Sequence, residues 1–155
     1  MSNGIGFAPD EIDTSAPTRA ARLKWVVVVN EALAPGLAVN AAICAAAATA
    51  QQVAGLLGPD AKDADGAVHP GLPWAGCSVL VADAATLRTV RTAAEAHELT
   101  FVADMPAAAQ TTRVYDEYLA TVSETAADEI EYYAVSIVGP RNRVDKIVGR
   151  LSLMP

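Results

Sequence analysis

The chain has 155 residues, a length that suits one domain of the usual ~100–150 residues. Hydrophobic residues make up 52% and charged residues 19%, enough apolar material for a core. A net charge of −7 argues against nucleic acid as a partner, because binding a phosphate backbone needs cations that release its counterions.

Residues 1–22 read as an extended N-terminal arm, polar and acidic, with Pro9 and Pro17 and without the apolar run of a secretory leader. Phe7 and Ile12 are the residues that would pin it to the body. Residues 23–155 read as a single domain. Trp25–Val29 is β-branched and apolar on both faces, the mark of a central strand covered on both sides. Pro35-Gly36 then leads into a helix from about Leu37 to Val53, rich in alanine. The stretch from Ala32 to Pro59 carries no charge, yet Pro35, Gly36, Asn40, Gln51, Gln52 and Gly55 break it up. A buried helix rather than a membrane span is expected, since a span needs ~20 consecutive apolar residues. Its bare alanine surface is suited to close packing and to a homodimer.

Residues 55–73 are rich in Gly, Pro and Asp, and Asp65-Gly66 marks a hairpin tip between Ala61-Lys62 and Val68-His69. Ser78–Ala82 is a second buried strand, and Asp83 is placed to cap a helix over Ala84–Glu98 that buries Leu87, Val90 and Ala94. Thr100–Ala103 is a third strand, ending at Asp104. Pro106 opens a helical region containing Tyr115, Tyr118, Leu119 and Val122. Tyr132–Val138 is a fourth strand, and Gly139-Pro140 starts a last helix with Val144, Ile147 and Val148 inward. Strands alternating with helices predict an α/β domain with a helix-covered, mostly parallel sheet.

Chemistry-bearing residues are few. His69, on the Asp-rich hairpin, suits a general base or ligand oriented by Asp60, Asp63 or Asp65, or else a turn histidine that caps backbone groups. The three aspartates lack the spacing and the closing glutamate of a calcium loop, so no metal is expected. Asn40 is the polar side chain in the first turns of the alanine helix and needs a partner or a pocket. Asn30, Asp83 and Asp104 stand at strand ends, the edge where open α/β sheets place their pockets. Asn40, His69 and Asp104 are therefore the candidate ligand-binding residues, with Asp104 and His69 the candidate acid/base pair. His97 reads as structural, near the end of an exposed helix. Cys44 and Cys77 lack metal-ligand spacing and are expected to be reduced and buried.

Three segments, KWVVVVNEALAPGLAVNAAICA, GLLGPDAKDADGAVHPG and YAVSIVGPRNRVDKIVGRLSL, resemble an uncharacterised family, domain of unknown function 2000, over residues 24–155. That family is grouped with peptidyl-tRNA hydrolase II. The resemblance implies a three-layer α/β/α sandwich on a four-stranded mixed sheet, one strand antiparallel to the rest. It also locates the missing chemistry. Leu37, Ala41 and Cys44 stand where the hydrolases are similar in carrying Lys, Gln and His, and Asp104 is followed by Met105-Pro106-Ala107-Ala108 instead of Gly-Arg-Thr-Gln. The expectation is a small-ligand-binding or regulatory module on a hydrolase-like scaffold, in the cytoplasm, without cofactor and with a small molecule as partner. The alternatives are a small-molecule hydrolase using Asp104 and His69, and a dimerising structural module.

Overall fold

The run of valines after Trp25 builds the centre of the molecule. It lies on β1 (Leu23–Asn30), and Val26, Val27, Val28 and Val29 are at most 2% exposed. The structure, a computed structural model, describes residues 4–155. In chain order β1 is followed by α1 (Pro35–Gln52), a hairpin of β2 (Ala61–Lys62) and β3 (Val68–His69), and β4 (Ser78–Ala82). Then come α2 (Ala84–Glu95), β5 (Phe101–Pro106), α3 (Ala108–Thr111) and α4 (Tyr115–Glu124). The chain closes with β6 (Tyr132–Pro140), α5 (Arg141–Val148) and β7 (Ser152–Leu153).

The main sheet has the order β5-β6-β1-β4-β7. β1 pairs parallel with β4, Val28 opposite Leu80, and antiparallel with β6, Val28 opposite Val135. β5 runs antiparallel to β6, and β7 antiparallel to β4. The sheet thus has five strands, not four, because the last residues turn back to add Ser152-Leu153 along β4. Three strands share a direction, yet only the β1–β4 ladder is parallel. The expectation of a mostly parallel sheet fails because β6 runs the other way and inserts between β1 and β5. Alternating element types do not reveal such an insertion.

Successive side chains of a strand point to opposite faces. Trp25, Val27 and Val29 therefore join one core with Ala134 and Val138, while Val26 and Val28 join another with Val135 and Ile137. The first core is closed by α1 and, from the N-terminal segment, by Ile5 and Phe7. The second is closed by α2 and α5 through Leu87, Val90, Ala94, Val144 and Val148.

Alanine favours the helix and carries little bulk. α1 turns Ala38, Ala41, Ala45 and Thr49 onto the sheet at intervals of three and four, so its backbone lies close to the strands. Its opposite face is not covered: Val39 and Ile43 are 52% and 61% exposed. The helix is half-buried rather than buried. Cys44, one turn beyond Asn40, is exposed with that face, and Cys77 is exposed in the loop before β4, so neither is the core cysteine expected. Packing against one side of the Cys77 thiol desolvates it and pushes its pKa up to about 12.

One polar chain crosses the first core. Thr49 donates its single hydroxyl proton to the Ala45 carbonyl at 2.8 Å, so the 2.7 Å contact to Ser136 must be donated by Ser136. Ser136 Oγ in turn accepts the Trp25 indole N–H at 2.8 Å. Each buried group is satisfied, and the chain fixes α1 to β1 and β6 together.

Several boundaries move. α2 ends at Glu95, because the chain turns at Ala96 and His97. β5 continues to Pro106, which therefore ends a strand instead of opening a helix. Pro140 closes β6 and is the N-cap of α5, not its first helical residue.

Candidate functional site

The residues singled out in the sequence are held in separate places. His69 is on β3, with its side chain 62% exposed, and its Nε2 lies 3.2 Å from Asp63 Oδ2. Asp63 organises the hairpin. It accepts the N–H groups of Asp65 and Ala67 at 3.0 and 2.9 Å, while Gly66 takes the left-handed φ of +87° that the turn requires. The Ala67 N–H first, and then His69, hold the Asp63 carboxyl below the usual carboxylate range. Asp60 accepts the Gly71 N–H at 2.9 Å. Among the described residues no three His, Cys, Asp or Glu side chains gather into a metal-binding group.

Asp104 belongs to the other side of the sheet. Its neighbours Ala103 and Met105 face the α1 core, so Asp104 faces α2, where Arg91 Nε donates to it at 2.8 Å. Arg91 also pairs with Glu95 and lies 4.8 Å from the centre of the Tyr132 ring. The carboxylate is already committed to a guanidinium. Asn40 sits on α1, across the sheet, where its Oδ1 accepts from Gln110 Nε2 at 3.1 Å. Gln110 also donates to the Leu37 carbonyl, so Asn40 helps fasten α3 to the start of α1. Asn30 accepts the Ala32 N–H and Asp83 the Thr86 N–H, each closing its own turn. Asn30 and Asp83, at the ends of neighbouring strands, therefore satisfy local backbone, while Asp104 holds Arg91.

An open cleft of about 570 Å³ lies at the other edge of the sheet, between the end of α2 and the start of α5. Ala96, His97, Glu98, Leu99 and Thr100 form one wall, and Pro140, Asn142, Arg143 and Lys146 the other. β5 begins just after Thr100 and β6 ends at Pro140, so the cleft opens at the amino end of β5. Open α/β sheets usually bind ligands at the carboxyl ends of their strands, and that is where the sequence directed attention. Neither Asn40, His69 nor Asp104 lines this cleft.

The cleft walls are unlike the rest of an acidic chain. Arg143 and Lys146 are both exposed, with no ion-pair partner among the described residues, and Glu98 is the one acid on the walls. Arg143 Nη1 donates to His97 Nε2 at 3.4 Å, so that ring nitrogen acts as acceptor. Thr100 is only 6% exposed, and its hydroxyl is buried without a hydrogen-bond partner among the described residues. The hydroxyl is turned to Gly139, where an added Cβ would come within 2.9 Å of it. Glycine at that position is what lets Thr100 sit against the start of α5.

Sequence reasoning assigned His97 a structural role and passed over Thr100, Arg143 and Lys146. One signal was legible. A helix start normally carries a capping oxygen or acids in its first turn. Gly139-Pro140-Arg141-Asn142-Arg143 offers no side-chain cap and no acid there, and supplies two arginines instead.

The comparisons with known proteins bear on the fold and the family. A search of curated proteins found no match. Among solved structures, a protein of unknown function from Agrobacterium tumefaciens is similar, with a TM-score of 0.79 at 18% identity, over 86% of this chain and 98% of that one. The likeness is one of fold. A family model described as protein of unknown function (DUF2000) matches residues 23–155, from the first residue of β1 to the end, and the chain belongs to that family.

Proposed function

We propose that this chain is a small-ligand-binding domain, on a scaffold of the hydrolase kind without its catalytic set, and that its ligand sits in the cleft between α2 and α5. The observation that carries this reading is Thr100. A buried hydroxyl without a partner is costly, and Thr100 stands in the wall of the cleft of about 570 Å³ between α2 and α5. Ligand pockets commonly combine apolar walls with a few convergent polar groups, and Leu99 and Pro140 stand beside His97, Asn142 and Arg143 here. The hydrolytic alternative has no such support, since Asp104 is engaged by Arg91 and His69 by Asp63.

A thermal-shift screen of a metabolite library tests the reading. A ligand at a hundred times its Kd adds about 2.7 kcal/mol of stability, a readily measured rise. Ala96→Trp, at an exposed position of the cleft wall, should abolish the rise while leaving the unliganded melting temperature near the parental one. Ligands whose effect survives Ala96→Trp would place binding elsewhere.

A second reading, a homodimer joined through α1, is favoured by the outer face of that helix. Val39 and Ile43 stand exposed on a stretch without a single charge, and two copies of a chain of net charge −7 meet with least repulsion there.

A further inference from the structure

The polar groups gathered at the start of α5 are, with few exceptions, donors. The first N–H groups of a helix have no intrahelical acceptor, and α5 has no side chain capping them. The Arg141 N–H is taken by the Arg22 carbonyl, and the Arg141 guanidinium by the carbonyls of Ala21 and Thr18. The next positions, Asn142 and Arg143, face the cleft. Arg143 adds a cationic donor near the positive end of the helix, which is unfavourable unless an anion is present, and Lys146, in the last turn, lines the same cleft. Thr100 contributes a buried hydroxyl proton with no acceptor, against the same helix start. These are independent observations with one chemical remedy. A group that only accepts hydrogen bonds and carries negative charge would satisfy the helix end, the hydroxyl and the two cations together.

We propose that the cleft holds an oxyanion, the phosphate or carboxylate group of a small metabolite, at the start of α5. This rests on the reading of the α2–α5 cleft as the ligand site. Arg143 and Lys146 supply the charge, Thr100 and the first-turn N–H groups of α5 supply fixed donors, and Gly139 leaves room for the hydroxyl. Glu98, on the rim, disfavours anions larger than the donor cluster can cover. The apolar remainder of the ligand would lie along Leu99 and Pro140.

The test is a titration followed by thermal shift, with inorganic phosphate in one arm and succinate in the other, ionic strength held constant with chloride. The parental protein should show a saturable rise in melting temperature with at least one of the two, and the arm that responds distinguishes phosphate from carboxylate. In the double variant Arg143→Glu, Lys146→Glu, the apparent Kd should rise at least roughly tenfold, the effect of losing one charge-assisted contact. General salting-out by phosphate would raise both proteins equally. Thr100→Val should weaken binding while retaining the parental melting temperature without anion, a pattern that a merely structural threonine would not give. No saturable rise with either anion, or equal rises in parent and double variant, would overturn the oxyanion. If uncharged library compounds alone bind, and Ala96→Trp blocks them, the cleft remains the ligand site and only its oxyanion chemistry fails. If nothing binds in an Ala96→Trp-sensitive manner, the cleft reading itself fails.

Discussion

Two buried threonines show how partner chemistry sets the value of a hydroxyl. Thr49 gives its proton to Ala45 and accepts one from Ser136, which accepts the Trp25 N–H. Thr49→Val removes the acceptor on which Ser136 depends, and a buried donor left unsatisfied costs about 1–3 kcal/mol. Thr100 is also buried but has no partner to lose among the described residues. Thr100→Val keeps the shape and deletes an unpaired polar atom, so stability should hold or rise by up to about 1 kcal/mol. Urea unfolding of the two variants, read at constant m-value, checks both signs. Equal losses would mean that Thr100 is paired, through water or a rotated hydroxyl, and that its place in the cleft is structural. The sequence offered no hint of this contrast. Both threonines precede or interrupt apolar runs, and only the fold shows which one meets an acceptor.

At the scale of elements, the strongest patterns were legible and the weaker ones were not. Trp25–Val29 and Tyr132–Val138 have the apolar density of central strands, and both occupy the middle of the sheet. Leu87, Val90 and Ala94 form the buried stripe of α2, and Asp83 caps it through the Thr86 N–H at 2.7 Å. The hairpin arms Ala61-Lys62 and Val68-His69 pair across the Asp65-Gly66 tip. β7 has two residues, too few for any period to register. α1 defeated a burial estimate because alanine suits either environment, and its faces differ mainly in what lies opposite. Its outer face supports a direct test of self-association. A stable interface buries about 800 Å² from each partner, so Val39, Ile43 and Ala47 would have to be joined by neighbouring surface. Light scattering on the parental protein should give a dimer, and Ile43→Glu a monomer of unchanged secondary structure, since a charge on the exposed face leaves the core intact. A parental monomer at tens of micromolar would dismiss the second reading.

At the scale of the whole molecule, the proposed site lies away from the residues to which pattern reading pointed. The general preference of open α/β sheets for carboxyl-end pockets pointed to Asn40, Asp104 and the hairpin. The sheet separates Asn40 from Asp104, and local hydrogen bonds occupy each of them. Instead, two exposed cations without ion pairs among the described residues, Arg143 and Lys146, line the cleft at the amino end of β5. The described residues contain no helix long and apolar enough to cross a membrane. Backbone amide shift mapping during a titration with inorganic phosphate tests the central claim most directly, because every segment of the chain reports at once. The account predicts saturable shifts concentrated at residues 97–100 and 141–146, with those at 36–40, 60–71 and 104–110 unmoved. Shifts centred on Asn40, His69 or Asp104, or scattered without saturation, would contradict it.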